Sequence, residues 1–129
     1  MSKETVSQLE NAIMEVCQSV GGTGVSFAEL TRAIPGFEGD RGMINPEFYN
    51  IIFWHACSAE AIEALSNLLV SKKLIMRPTA FLIYMADGIV PNYPIARKQM
   101  QYKNVRWLPV VFDIATKKSK TIKQRGKLK

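Results

Sequence analysis

The residues best suited to chemistry in this chain are cationic, and they lie late in it. Arg97, Lys98, Gln101, Tyr102, Lys103 and Arg106, with Trp107, combine phosphate-binding side chains with rings that stack on bases or support a guanidinium. On a helix over 95–103, Arg97, Lys98 and Gln101 share one face while Ile95, Ala96 and Met100 face inward. The plainer reading of the same residues is a solvated helix side with Trp107 in the core. Lys117, Lys118, Lys120 and Lys123 follow in a second cationic run. Residues 1–95 carry six Lys/Arg against ten Asp/Glu, and residues 96–129 carry eleven against one, so the net +6 is an acidic body with a basic end. Such an end is the electrostatic sign of phosphate contact, because each neutralised phosphate releases condensed counterions.

Other constellations are weaker. His55 is the only histidine, and on a helix Cys57, two residues on, would not face it, so neither a nucleophile pair nor a metal site is expected. Glu60 and Glu63 are helical neighbours, but paired carboxylates at that spacing read as a solvated face rather than an acid/base pair. Gly21-Gly22-Thr23-Gly24 lacks the Lys-Ser/Thr ending of a phosphate loop and follows a helix, so it reads as a helix stop. No hydrolase, metalloprotease or calcium-loop spacing occurs. We expect no enzyme, no metal and no cofactor. Cys17 and Cys57 sit in apolar patterns and read as reduced core thiols. With no secretory signal, they suggest a reducing compartment, cytoplasmic or, in a eukaryote, nuclear.

Composition bounds the elements that must position these residues. The chain has 129 residues, 47% hydrophobic and 22% charged, which fits one globular domain and excludes collagen-like, disulfide-scaffold and wholly disordered classes. No apolar run is long enough to span a membrane. Val6, Leu9, Ile13, Val16 and Val20 recur at helical spacing and mark a first helix that the glycines at 21–24 end. Ser26 and Glu29 fit a capping box opening a short helix over 27–33. Residues 36–45 read as a polar loop. Asn45 and Pro46 then fit the start of a helix over 46–56 whose aromatics exceed what one buried stripe absorbs, so Phe48, Tyr49, Phe53 and Trp54 are expected at an intersubunit contact. Ser58 caps a further helix with Ala61, Ile62, Leu65, Leu68 and Leu69 inward, and with Lys72 and Lys73 at its end. Residues 74–77 and 81–86 read as a hairpin around Pro78 and Thr79. A short helix over 95–103 and an irregular strand over 105–112, interrupted at Pro109, follow. Residues 114–129 are expected to be a disordered basic tail.

Helix, turn, short capped helix, second helix and hairpin, in that order over residues 5–87, resembles the winged helix-turn-helix superfamily. The resemblance implies an α+β fold, a helical body with a β-hairpin wing, from which this chain departs by an aromatic helix inserted within 36–57 and to which it adds a basic C-terminal extension over 87–113. It also implies DNA binding, with the helix before the hairpin in the major groove and the wing on the backbone. Carried over, Ser58, Glu60, Glu63, Ser66 and Asn67 face the groove, and Arg77 and Thr79 lie at the wing. That helix offers carboxylates and no cation before Lys72. The leading expectation is a dimeric DNA-binding transcriptional regulator in which Ser66, Asn67, Lys72, Lys73 and Arg77 reach DNA from the body and the basic third grips phosphates. The competing class is a protein-interaction adaptor working through the acidic helix 58–69 and the aromatic helix 46–56. RNA binding by stacking on Tyr102 or Trp107 is the third.

Overall fold

Apolar residues at three- and four-residue spacing build α1 (Lys3–Ser19), the first element of a computed structural model that describes residues 3–115. Val6, Leu9, Ile13 and Cys17 are its buried stripe. Gly21, Gly22 and Gly24, all at positive φ, turn the chain into the two-residue strand β1 (Val25–Ser26). The expected capping box is present. Ser26 Oγ accepts from Glu29 N–H while the Glu29 carboxylate accepts from Ser26 N–H, opening α2 (Phe27–Ala33).

Residues 36–57 depart from expectation in two ways. The polar loop contains a strand, β2 (Arg41–Ile44), and the expected aromatic helix is the strand β3 (Ile51–Cys57), antiparallel to it. Asn45 does act as a side-chain acceptor, but for Glu47 and Phe48 N–H in a tight turn closed by Ile51 N–H on the Phe48 carbonyl. The short run Ile51-Ile52-Phe53-Trp54 is β-branched and aromatic without helical period, and the strand buries all four residues. Register shifts in the β2–β3 ladder place Trp54 and Cys57 both inside with His55 exposed between them.

Ser58 caps α3 (Ala59–Val70), accepting from Ala61 N–H, and Ala61, Ala64, Leu65 and Leu68 face the core. The chain then enters β4 (Leu74–Pro78). No local hairpin forms. Residues 81–87 are the helix α4 (Phe81–Asp87), and the partner of β4 is the distant β6 (Val110–Ile114), with Leu74 opposite Ile114 and Pro78 opposite Val110. The alternation at 81–86 had no polar residues in it, so its period carried no information about which face was buried. The expected helix over 95–103 is irregular chain, and the expected strand over 105–112 splits around Pro109 into β5 (Arg106–Trp107) and β6. Ile114, expected in the tail, ends β6; the rest of that tail from residue 116 onward, including Lys117, Lys118, Lys120 and Lys123, lies outside the described residues.

The result is an α+β fold with two three-stranded sheets, β1-β6-β4 and β2-β3-β5, in which β3 and β5 run parallel. One aromatic core joins them. Trp54 stacks on Phe27 with centroids 5.4 Å apart, and Tyr84 meets Trp107 edge-on at 5.1 Å. Among the described residues, no helix is long and apolar enough to cross a membrane.

Candidate nucleic-acid interface

The long connection between β4 and β6 positions the cationic cluster. It leaves the sheet at Pro78, forms α4, and returns through residues 94–107 along the open edge of β3. Two parallel pairings, Ile51 with Arg106 and Ile52 with Trp107, fix the return path. Trp107 N–H donates to the Pro94 carbonyl, and Ala96 N–H donates to that of Trp107. Asn50 Nδ2 donates to the carbonyls of Tyr102 at 2.7 Å and Lys103 at 3.2 Å. The Tyr102 hydroxyl accepts from Lys98 N–H and donates to the Lys98 carbonyl at 3.0 Å. These bonds tie an irregular segment to a rigid strand, so its cations are held without a helix.

On this loop Arg97, Lys98, Gln101 and Lys103 are exposed. The Arg106 guanidinium sits 4.7 Å from the centroid of the Tyr102 ring and donates to the Ile95 carbonyl. The segment between Asp87 and Asp113 contains no acidic residue, so residues 88–112 offer four cations without a carboxylate. Met100 is exposed rather than inward, which follows from the missing helix. Trp107 is fully buried with its indole N–H on the Phe53 carbonyl at 3.2 Å, so it takes the core role and is closed to base stacking.

The remaining expected contacts are scattered. Lys72 and Lys73 are exposed at the α3–β4 turn, where Lys72 adopts a positive φ and Ala115 N–H donates to the Lys73 carbonyl. That turn holds Ala115, the last described residue, at the Leu74–Ile114 end of the β4–β6 ladder, opposite the Pro78–Val110 end. Arg77 is committed to Asp113, Nε to Oδ2 at 2.6 Å. Asn67 donates to Glu10 of α1 at 2.9 Å. Ser66 lines an apolar cleft of about 350 Å³ between α3, β2 and β4, with Ile62, Leu69, Met43 and Met76. Ser58 and Glu60 line a second cleft of about 560 Å³ against α1, with Glu38 beside them. The outer face of α3 is left with Glu63, and Val70, 82% exposed, borders the same cleft as Ser66. Thr79 donates its backbone N–H to the Pro109 carbonyl.

The expected aromatic interface does not form. Phe53 and Trp54 are buried in the core and Phe48 is half-buried; of the four only Tyr49, at 69%, is exposed. The apolar surface lies instead on α4, which sequence alternation had assigned to a strand.

Burial pushes the Cys17 thiol up to about 11, helped by Glu29 and Asp113, and the Cys57 thiol up to about 12. Both are free, buried thiols with no nucleophilic character near neutral pH. Burial lowers the pKa of His55, against an opposing pull from Glu38. Among the described residues no three His, Cys, Asp or Glu side chains are grouped to hold a metal. Comparison with the sequence models of protein families, with curated proteins and with solved structures finds no match for this chain.

Proposed function

We propose that this chain is a DNA-binding transcriptional regulator on a winged-helix-like scaffold, gripping phosphates through the loop 94–106 and the basic C-terminal segment rather than through α3. The observation that carries this is the acid-free connection between β4 and β6, with Arg97, Lys98, Lys103 and Arg106 held on a hydrogen-bonded loop. The order α1, capped α2, α3 and the antiparallel β4–β6 pair supports the scaffold, and the connection between those two strands is where a wing belongs. Residues 3–115 carry ten Lys/Arg against eleven Asp/Glu, and residues 116–129 carry seven against none. The sequence therefore concentrates its positive charge in residues 97–129, which supports the reading. Backbone contacts of this kind position a protein on the duplex without reading its sequence. Glu63 and Val70 on α3 supply no base contact to add to them. Buried, unpaired thiols favour a reducing compartment, cytoplasmic or nuclear.

Fluorescence anisotropy of a labelled random-sequence duplex, titrated with full-length protein between about 50 and 200 mM salt, tests the reading. Changing both Arg97→Glu and Lys98→Glu should weaken binding at least about tenfold and flatten the log–log salt slope by about two, at roughly 0.9 per phosphate contact. Unchanged affinity and slope would remove the loop from the site.

The exposed pair Glu63 and Val70 favours a second reading, a winged-helix-like adaptor whose α3 meets a protein. It takes over if the unmodified protein shows no salt-dependent duplex binding at all.

A further inference from the structure

Two asparagine side chains fasten the cationic loop to the turn between β2 and β3. Asn45, only 4% exposed, accepts from Glu47 and Phe48 N–H inside the turn and donates through Nδ2 to Gln99 Oε1 at 3.1 Å. Asn50, at the far end of the turn, donates to the Tyr102 and Lys103 carbonyls, and its own carbonyl accepts from Arg106 N–H at 2.8 Å. The turn 45–50 and the loop 94–106 are therefore one surface, joined by bonds between residues 52 to 54 positions apart.

The two halves of that surface differ in chemistry. The loop shows Arg97, Lys98 and Lys103 and contains no carboxylate. The turn carries Glu47 and no cation, which suits it to a neutral group rather than to a phosphate. It also carries Tyr49, which at 69% has the most exposed ring among the described residues. Of the other rings here, Trp107 is buried, Phe48 is half-buried, and Tyr102 is half-buried with the Arg106 guanidinium over it. Tyr49 directly precedes Asn50, whose carboxamide holds the Lys103 carbonyl, so the open ring adjoins the cationic half.

We propose that Tyr49 stacks on an unpaired base of a DNA strand whose phosphates lie on the loop 94–106, so that the protein prefers opened DNA to a fully paired duplex. Every base has a π-face that an aromatic side chain can take once the base leaves its stack, whatever the sequence. In an intact duplex only the base edges are offered, in the grooves. The proposal rests on the loop's grip on phosphates and adds the form of DNA that the surface serves.

Anisotropy titrations of the full-length protein with a labelled single strand, the matching paired duplex and that duplex with a central mismatched bubble test it. The single strand and the bubble should bind at least about fivefold more tightly than the paired duplex. Tyr49→Ala should remove that preference, weakening single-strand binding about five- to a hundredfold. Paired-duplex affinity and the salt slope should stay as they were, because stacking releases no counterions. Tyr49→Trp should restore the preference, and both variants should keep the circular dichroism spectrum of the unmodified protein because the ring is exposed. Equal affinity for paired and opened probes, or a preference that Tyr49→Ala leaves intact, would overturn the proposal while the loop's phosphate contacts still stood. Absence of salt-dependent binding to all three probes would instead remove the DNA-binding reading and the proposal with it.

Discussion

Asp113 is the lone acidic residue among residues 96–129, and its carboxylate is consumed inside the fold. It accepts from Thr23 Oγ1 at 2.7 Å, from Gly24 N–H at 2.8 Å and from Arg77 Nε at 2.6 Å, joining the turn after α1 to β4 and β6. Burial alone would raise its pKa, but the bonds from Arg77, Thr23 and Gly24 outweigh it and hold the carboxyl below its ordinary value of 3.8. The folded state thus binds the proton less readily than the unfolded chain. Its stabilisation is complete above the unfolded pKa and is lost as pH falls through the lower folded value. Asp113→Ala should cost about 1.5–3 kcal/mol at pH 7, the range for bonds to a charged group. Urea unfolding at pH 7 and near pH 3 should show the variant losing less stability on acidification than the unmodified protein. The sequence marks Asp113 as an isolated carboxylate in a basic region. Its partners lie 36 and 90 positions away, beyond any local pattern.

At the scale of elements, α1, α2 and α3 were legible because their signals are local. Period 3.6 marks a buried stripe, Ser26 with Glu29 and Ser58 mark the starts, and glycines at positive φ mark the stop after α1. The segments 46–56 and 81–86 were not legible for one shared reason: the runs at their centres, 51–54 and 81–86, are apolar throughout, so neither period shows a polar face to set the orientation. The first became a strand buried along residues 51–54. The second became a helix held mainly by Tyr84. That hydroxyl satisfies a buried donor and a buried acceptor at once, so Tyr84→Phe should leave both unpaired and cost about 2–4 kcal/mol. Thermal unfolding followed by circular dichroism would read the loss, and hydrogen exchange should show α4 loosening before α1.

Across the whole molecule, the chain crosses between the two sheets four times, only at Leu108–Pro109 without an intervening helix, and the sheets close over one aromatic core. Trp54 lies in its middle, touching Phe27, Tyr84 and Trp107. Its indole N–H has no partner among the described residues, so its contribution is packing. Trp54→Ala should destabilise by about 3–5 kcal/mol, and both sheets should be lost in one transition. Urea curves from tryptophan fluorescence and far-ultraviolet circular dichroism would coincide, whereas separated midpoints would show two independent units. Charge is also organised at this scale, with the cations of the loop 94–106 held beside Asn50 and β3 and with Lys72 and Lys73 on the turn that leads into β4.

The sequence by itself determined the acidic body and basic end, the helices α1, α2 and α3 and the burial of the two cysteines. Each follows from residue counts or from interactions spanning a few positions. Only the tertiary structure decided that β4 pairs with β6, that Phe53 and Trp54 are core, that Arg77 is spent on Asp113 and that the open apolar face belongs to α4. Pairing and burial are settled by which distant segments compete for one core. An apolar run or a cation does not carry that information until its neighbours are in place.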